Sequence, residues 1–568
     1  MPARSPACPP LLLLAAALSA LPGCRNSDPA DLVLRGGVVY PLATDSLRFE
    51  ALAIRDGRVV YLGDAAGARW YVGSKTRVIE LAGRMVLPAF RDSHIHARSG
   101  VDLADCRLDQ LATPAAVLDS VRRCAAALPD SAWVRGRGWQ LPVFPDANPR
   151  KEWLDSIAPG RLVYLVAADG HSAWVSSAAL AAAGIDRATR DPPRGRIERD
   201  PRSGEPSGTL REDATHLVSD RLPQRTQPEL RAGLRRAVAL ANSFGIVALH
   251  EAAAWPGLLE AYAALDSAGQ LNARVVAAMG VNPAEPPAAV VDSLRTWRGR
   301  YGGRRYFAPR AAKLFVDGVI EARTAALLAP YLGGNGERGE PNWTPAALDT
   351  MVAALDAAGF QIHLHAIGDR AVRMGLDALA FARRHNGPRD ARPIMAHLEL
   401  IDSTDLGRFA AESVIPSFQP LWAWADEYIT RLTEPVLGPA RSRWLYPIGS
   451  VARSGAILAA GSDWPVSSMN PLEAIQVALT RRGPDAPPGA PWIPEELVDL
   501  RTMLLAYTAG GAFAAGEEAT AGTLELGKHA DLIVLDRDLY RIPATEIHAA
   551  RVQLTLLEGR EVWPASPR

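Results

Sequence analysis

The sequence predicts an α/β chain of parallel βα units, closed as a barrel or doubly wound and bracketed by two β-rich ends. Three observations predict it. The middle of the chain alternates short apolar runs with Ala/Leu-rich stretches of helical character. Hairpin signals crowd both ends. Two His-x-His pairs and several lone charges follow apolar runs, where the strand ends of a parallel sheet carry chemistry. The chain has 568 residues and is 48% hydrophobic, enough for a large folded domain with satellites. Its 62 Lys+Arg balance 62 Asp+Glu, which excludes the basic footprint of a nucleic-acid binder. Only four of those 62 are lysines: Lys75, Lys151, Lys313 and Lys528. Where arginine serves as the generic cation, a lysine in an apolar strand needs a reason.

Residues 1–23 read as an export signal. Leu11 to Leu21 is about the length of a signal core and too short to span a bilayer. It ends in Leu21-Pro22-Gly23-Cys24, which resembles a bacterial lipobox. That resemblance implies cleavage before Cys24, a lipid on its thiol, and a membrane-anchored protein of the cell envelope, periplasmic or at the cell surface. An ordinary secretory signal with an incidental Cys24 also exports the chain. Residues 24–30 read as a linker. If Cys24 is lipidated and Cys8 removed, Cys106 and Cys124 remain, either as a disulfide or as two separate thiols.

The next stretch, 31–84, is β-rich. Leu32-Val33-Leu34 and Val38-Val39-Tyr40 flank Arg35-Gly36-Gly37, a hairpin signal, and a second hairpin turns at Asp56-Gly57. Residues 85–509 carry the βα alternation, with helices expected at Pro228 to Ser243, Pro345 to Ala358 and Asp369 to His385. A Trp-, Gly- and Pro-rich stretch at about 130–225 reads as an insertion. Residues 510–568 return to strands, with a turn at Glu558-Gly559.

Among 11 histidines, His-x-His should arise roughly 0.2 times by chance, yet His94/His96 and His363/His365 both occur. On a strand, residues i and i+2 share a face, and at the end of a barrel strand that face is the lumen. Converging imidazoles there suit a borderline divalent metal such as zinc. Lys313, His397 and Asp463 have the same placement after or within apolar runs. Taken alone, Asp463 could be a helix N-cap and Lys313 half of a buried ion pair with Asp317. Trp139, His171 and Trp174 in the insertion could contact substrate or pack their own loop. The basic run Arg298, Arg300, Arg304 and Arg305 reads as a solvated face.

The order His-x-His, Lys, His, His, Asp resembles the metal-dependent amidohydrolase superfamily, most closely its family 3 (YtcJ-like) branch. The resemblance runs nearly full length from about residue 31. It is carried by Leu87-Pro88-Ala89-Phe90-Arg91-Asp92-Ser93-His94-Ile95-His96, Asp169-Gly170-His171-Ser172, Lys313-Leu314-Phe315-Val316-Asp317-Gly318, His365-Ala366-Ile367-Gly368-Asp369 and Gly461-Ser462-Asp463-Trp464-Pro465. Ala89 replaces a usual Gly, and Arg91 stands where an apolar residue is commoner. The resemblance implies a distorted (β/α)8 barrel with a discontinuous β-sandwich built from both chain ends. It implies His94 and His96 on one metal, His365 and His397 on a second, a carboxylated Lys313 between two Zn²⁺, and Asp463 as ligand and general base, then acid. It implies His363 as a supporting residue. The activity implied is hydrolysis of a non-peptide carbon–nitrogen bond of a small amide-type substrate, N-acyl or N-formyl, by metal-activated water. A mononuclear deaminase or cyclic-imide hydrolase, or an inactive binding lipoprotein, are the alternatives on the same fold.

Overall fold

The computed structural model describes residues 28–44 and 47–564. Cys24 and the export signal lie outside the described residues. Among the described residues no helix is long and apolar enough to cross a membrane.

Eight parallel strands form the centre: β1 (Phe90–Ile95), β2 (Ile246–Ala254), β3 (Arg274–Gly280), β4 (Phe307–Phe315), β5 (Gln361–Ala366), β6 (Ile394–His397), β7 (Ile415–Phe418) and β8 (Ala459–Ala460). Each pairs with the next in chain order, so the sequence's two options resolve to a barrel. The strands are buried on both faces, as helix-wrapped parallel strands must be. The barrel is distorted where it closes, because β8 is only two residues long. Loop residues finish the seam: Asp463 N donates to His94 O (2.7 Å) and His96 N to Trp464 O (2.9 Å). Gly461 permits this approach, since a Cβ there would lie 2.6 Å from His94 N.

The expected helices are present at Gln227–Ser243, Pro345–Ala357 and Asp369–Asn386. The first shows why the sequence is helical there. Thr226 and Glu229 form a capping box, and Leu234, Ala237, Val238 and Ala241 are buried along one face.

Both chain ends build one outer eight-stranded sheet. Leu532–Leu535 pairs antiparallel with Met85–Pro88, so Met85 belongs to this sheet and the barrel starts at Phe90. Period-2 alternation gives the strand two jobs. Leu532 and Val534 enter the outer core with Leu34 and Leu52, while Ile533 and Leu535 pack into the barrel core. Asp56-Gly57 and Glu558-Gly559 hold positive φ at both positions, as type I′ turns require. The expected turn at Arg35-Gly36-Gly37 is instead an irregularity inside a single strand, Leu32–Val39. Glycine there relieves close packing rather than reversing the chain, because a Cβ on Gly37 would lie 2.5 Å from Arg84 O. Arg91, unusual for its place, is buried in β1 and pairs with Glu517.

Between β1 and β2 lies a separate six-stranded sheet running from Cys106–Arg107 to Pro206–Glu212. It starts before the 130–225 stretch that composition marks. Cys106 and Cys124 form a disulfide, tying its first strand to the helix Pro114–Ala126.

Candidate metal centre

The C-terminal ends of the barrel strands bring together residues far apart in sequence. His94 ends β1, Lys313 lies in β4, His365 in β5, His397 ends β6, and Asp463 follows β8. All five are buried. His96, just past β1, is partly open. Asp463 Oδ1 lies 3.3 Å from His94 Nε2 and 3.2 Å from His96 Nε2. His397 Nδ1 is 4.0 Å from Asp463 Oδ2. One ligand atom each from His94, His397 and Asp463 fits within a 4.8 Å group. His397 and Asp463 hold φ of 77° and 51°, left-handed conformations that a non-glycine residue adopts at a cost. Asp463 caps no helix; the next helix is capped by Asn470.

Three further contacts orient this set. Asp92 accepts from Ser462 Oγ (2.5 Å), Ser462 N (3.0 Å) and His94 N (3.1 Å), joining the backbone behind His94 to that before Asp463. His94 Nδ1 lies 2.8 Å from His363 Nε2, which leaves His94 Nε2 facing Asp463. His365 Nε2 lies 3.2 Å from the Gly318 carbonyl. A carbonyl only accepts, so Nε2 carries the proton and Nδ1 keeps a lone pair. His250 of β2 packs its ring on His363 at 4.9 Å. Nothing in the sequence marked His250, which has no histidine two residues away.

The electrostatics favour cation binding. Burial holds His94, His365 and His397 well below the usual imidazole range, so all three are neutral ligands at pH 7. Burial would raise the Asp463 carboxyl, but nearby His96, His397 and Lys313 keep it below the usual carboxylate range. Lys313 is fully buried and makes no ion pair among the described residues. Asp317, its other expected partner, accepts instead from the amides of Ala326, Ile367 and Gly368. Burial pushes the Lys313 ammonium down to about 7, and its Nζ lies 3.5 Å from His94 Nε2. Several buried atoms of the centre, among them His96 Nδ1, His397 Nδ1 and Asp463 Oδ1, lack hydrogen-bond partners among the described residues. Such orphans, in a nitrogen-and-oxygen donor set, fit a divalent metal.

The centre opens on a cavity of about 370 Å³, lined in part by His171, His365, His397, Trp422 and Asp463. Trp422 stacks parallel to His397 at 5.8 Å. His171 belongs to the inserted sheet and is held by Glu212 at 2.9 Å. Burial alone would lower this imidazole; the Glu212 and Asp169 charges raise it to about 9. Trp139 and Trp174 do not line the cavity. They pack with Phe144 in the core of the inserted sheet, and their indole N–H groups donate to the carbonyls of Leu165 and Arg150. For these two tryptophans the packing role replaces substrate contact. Five further acidic residues line the cavity: Asp169, Glu321, Glu399, Asp426 and Glu473. Burial raises Glu321 to about 7 and Asp426 to about 6, and lifts Glu399 well above the usual carboxylate range.

Comparison with known proteins gives this geometry a setting. The model of the "Amidohydrolase family" matches residues 77–563. The chain is 29% identical to Protein LONG AFTER FAR-RED 3 of Arabidopsis thaliana, covering 94% of this chain and 92% of that one. It is 26% identical to an N-substituted formamide deformylase of Arthrobacter pascens, covering 90% and 94%. A solved structure of an uncharacterised metal-dependent hydrolase from Pyrococcus furiosus superposes with a TM-score of 0.68 at 25% identity, covering 89% of this chain and 99% of that one.

Proposed function

The chain belongs to the amidohydrolase family, and from that premise we propose that it hydrolyses a non-peptide carbon–nitrogen bond of a small N-acyl or N-formyl amine. One observation carries the reading: His94, His397 and Asp463 converge beside the buried Lys313 at the mouth of a substrate-sized cavity. The likeness to an N-substituted formamide deformylase supports the bond class.

In this reading His94, His96 and Asp463 would hold one divalent ion, and the lone pairs of His365 and His397 would hold a second. Lys313 would serve as a further ligand in the form of a carbamate, made when its neutral amine adds to CO₂ and releases a proton. Its depressed value, about 7, supports the neutral amine that this step needs. When bound, two zinc ions would supply an acidified water and polarise the substrate carbonyl. Asp463 would accept a proton from the attacking water and deliver it to the leaving nitrogen. The Asp92–Ser462 bonds fix the Asp463 backbone for both transfers. The products are an amine and a carboxylate or formate.

The chain is further proposed to be exported and lipid-anchored through Cys24. The Cys106–Cys124 disulfide supports an oxidising compartment. Radiolabelled palmitate incorporated by the wild type and not by Cys24→Ser tests the anchor.

A mononuclear deaminase or cyclic-imide hydrolase has one observation in its favour. With His365 Nε2 turned to Gly318, the three-residue group found among the described residues is His94, His397 and Asp463 alone. Zinc-loaded protein assayed against N-formyl and N-acyl amines decides between them. Release of formate or carboxylate, falling about 10²–10⁴-fold in Asp463→Asn, is the expected result. No turnover of any amide, together with unchanged stability in His94→Ala, would sink the reading.

A further inference from the structure

Two chemically distinct sets of side chains line the cavity: His365, His397 and Asp463 of the proposed metal centre, and the carboxyl groups of Glu321, Glu399 and Asp426. Those three acids come from different loops: Glu321 follows β4, Glu399 follows β6 and Asp426 follows β7. None makes an ion pair among the described residues, and no Lys or Arg lines the cavity. His171 also lines it, but that imidazole is taken by Glu212.

Glu321 and Glu399 share a single side-chain donor. Thr433 Oγ1 lies 3.4 Å from Glu321 Oε1 and 3.5 Å from Glu399 Oε1. A hydroxyl has one proton, so it serves one of the two at a time; Glu321 also accepts from its own amide. Glu399 is only 2% exposed, and Thr433 is fully buried. Asp426 is differently placed: its Oδ1 accepts from Ile429 N at 2.8 Å, which aligns the turn bearing Thr433. Buried carboxylates with neither cation nor full hydrogen bonding are costly to fold around. A core residue that served only packing would be apolar here. The remaining walls include Trp422, Tyr428 and Tyr446, whose ring faces attract cations.

We propose that the substrate carries a second, positively charged nitrogen, an ammonium or guanidinium, and that Glu321, Glu399 and Asp426 bind it while the scissile amide sits at the metal centre. The inference rests on the amide-hydrolase reading and names its substrate class: mono-N-acylated or N-formylated diamines and related cationic amines. An organic cation fits better than a second inorganic site, because the cavity has room for a chain of atoms and its walls are aromatic as well as acidic. The carboxylates then set specificity by charge: a neutral analogue leaves them unpaired and is rejected.

The test compares zinc-loaded full-length protein on N-formyl-1,5-diaminopentane and on N-formylhexylamine, which puts a methyl where the ammonium would be. The expected kcat/KM favours the cationic substrate by about tenfold or more. That ratio should collapse toward one in Glu321→Gln and in Asp426→Asn, each checked for an unchanged circular dichroism spectrum. Calorimetric titration with 1,5-diaminopentane and with the uncharged 1-hexanol reads the charge site without turnover. Tighter binding of the diamine, lost in Glu321→Gln, is the matching result. Equal kcat/KM for both substrates overturns the inference and leaves the amide-hydrolase reading standing. Hydrolysis of neither, with Glu321-dependent diamine binding, supports the cation site and defeats the reading of the reaction. Hydrolysis of neither and no binding of the diamine overturns both, while calcium binding at Glu321 with no preference for the diamine overturns the inference alone.

Discussion

In the proposed metal centre, His363 would govern how His94 meets a metal. Its Nε2 lies 2.8 Å from His94 Nδ1, so it sets the ring's orientation and which nitrogen faces Asp463. Replacing such a supporting partner lowers metal affinity by about 10–100-fold. His363→Ala should therefore need a correspondingly weaker chelator to strip its zinc, with the fold retained by circular dichroism. Lys313 behaves in the opposite sense. As a fully buried amine without an ion pair it opposes folding of the metal-free chain. Lys313→Met should raise metal-free stability by about 1–4 kcal/mol, read by urea denaturation, while abolishing hydrolysis. A less stable metal-free Lys313→Met would contradict this account of the residue. The placement of these residues was partly legible in the sequence. The His-x-His spacing and the isolated lysine pointed to the strand ends. His250 and the Asp92–Ser462 contact were not legible, because they depend on which strands become neighbours. Glu321, Glu399 and Asp426 were missed for a related reason: loop residues have no periodicity to read.

At the scale of elements, the outer sheet is held to the barrel by one charged cluster. Glu558, in the last hairpin turn, accepts from Arg274 of β3, from Arg305 and from Tyr306 before β4. Arg274 also donates to Asp531, which accepts from Glu558 N. Burial alone would raise the Glu558 carboxyl; Arg274, Arg305 and Tyr306 lower it to about 2. The ordinary glutamate value in an unfolded chain is about 4.3. The folded state therefore holds the carboxylate more tightly ionised than the unfolded state does. Its stabilisation is fully present above about pH 4.3 and is lost as pH falls toward 2. Glu558→Gln should cost about 1–3 kcal/mol at pH 7 and flatten the stability profile between those limits. Thermal melts of both proteins across that range check it, and parallel profiles would contradict it. Turn chemistry made the hairpins at Asp56-Gly57 and Glu558-Gly559 readable, whereas Gly36-Gly37 misled because glycine marks a bulge as well as a turn. Met85–Pro88 was read with the barrel because a short apolar run does not say which of two sheets it joins.

At the scale of the molecule, the chain closes on itself twice. Its two ends complete one sheet, and β8 and the loop after it complete the barrel against β1. Both closures bring distant residues to one rim, and the second sets Asp463 beside His94. The balanced charge total hides this arrangement, since a net of zero coexists with a cavity lined by several carboxyl groups and by no Lys or Arg. The parallel alternation, the bracketing strands and most of the proposed ligands were legible because strand-end chemistry repeats with the βα unit. The inserted sheet was legible only as an interruption, and its own core claimed the two tryptophans.

The central claim is that Lys313 bridges two metal ions held by His94, His96, His365, His397 and Asp463. Elemental analysis of zinc-loaded protein, in bicarbonate buffer, tests it directly. The account predicts two equivalents of zinc per chain in the wild type, with loss of metal in Lys313→Ala. One equivalent per chain, unchanged by Lys313→Ala, would contradict it.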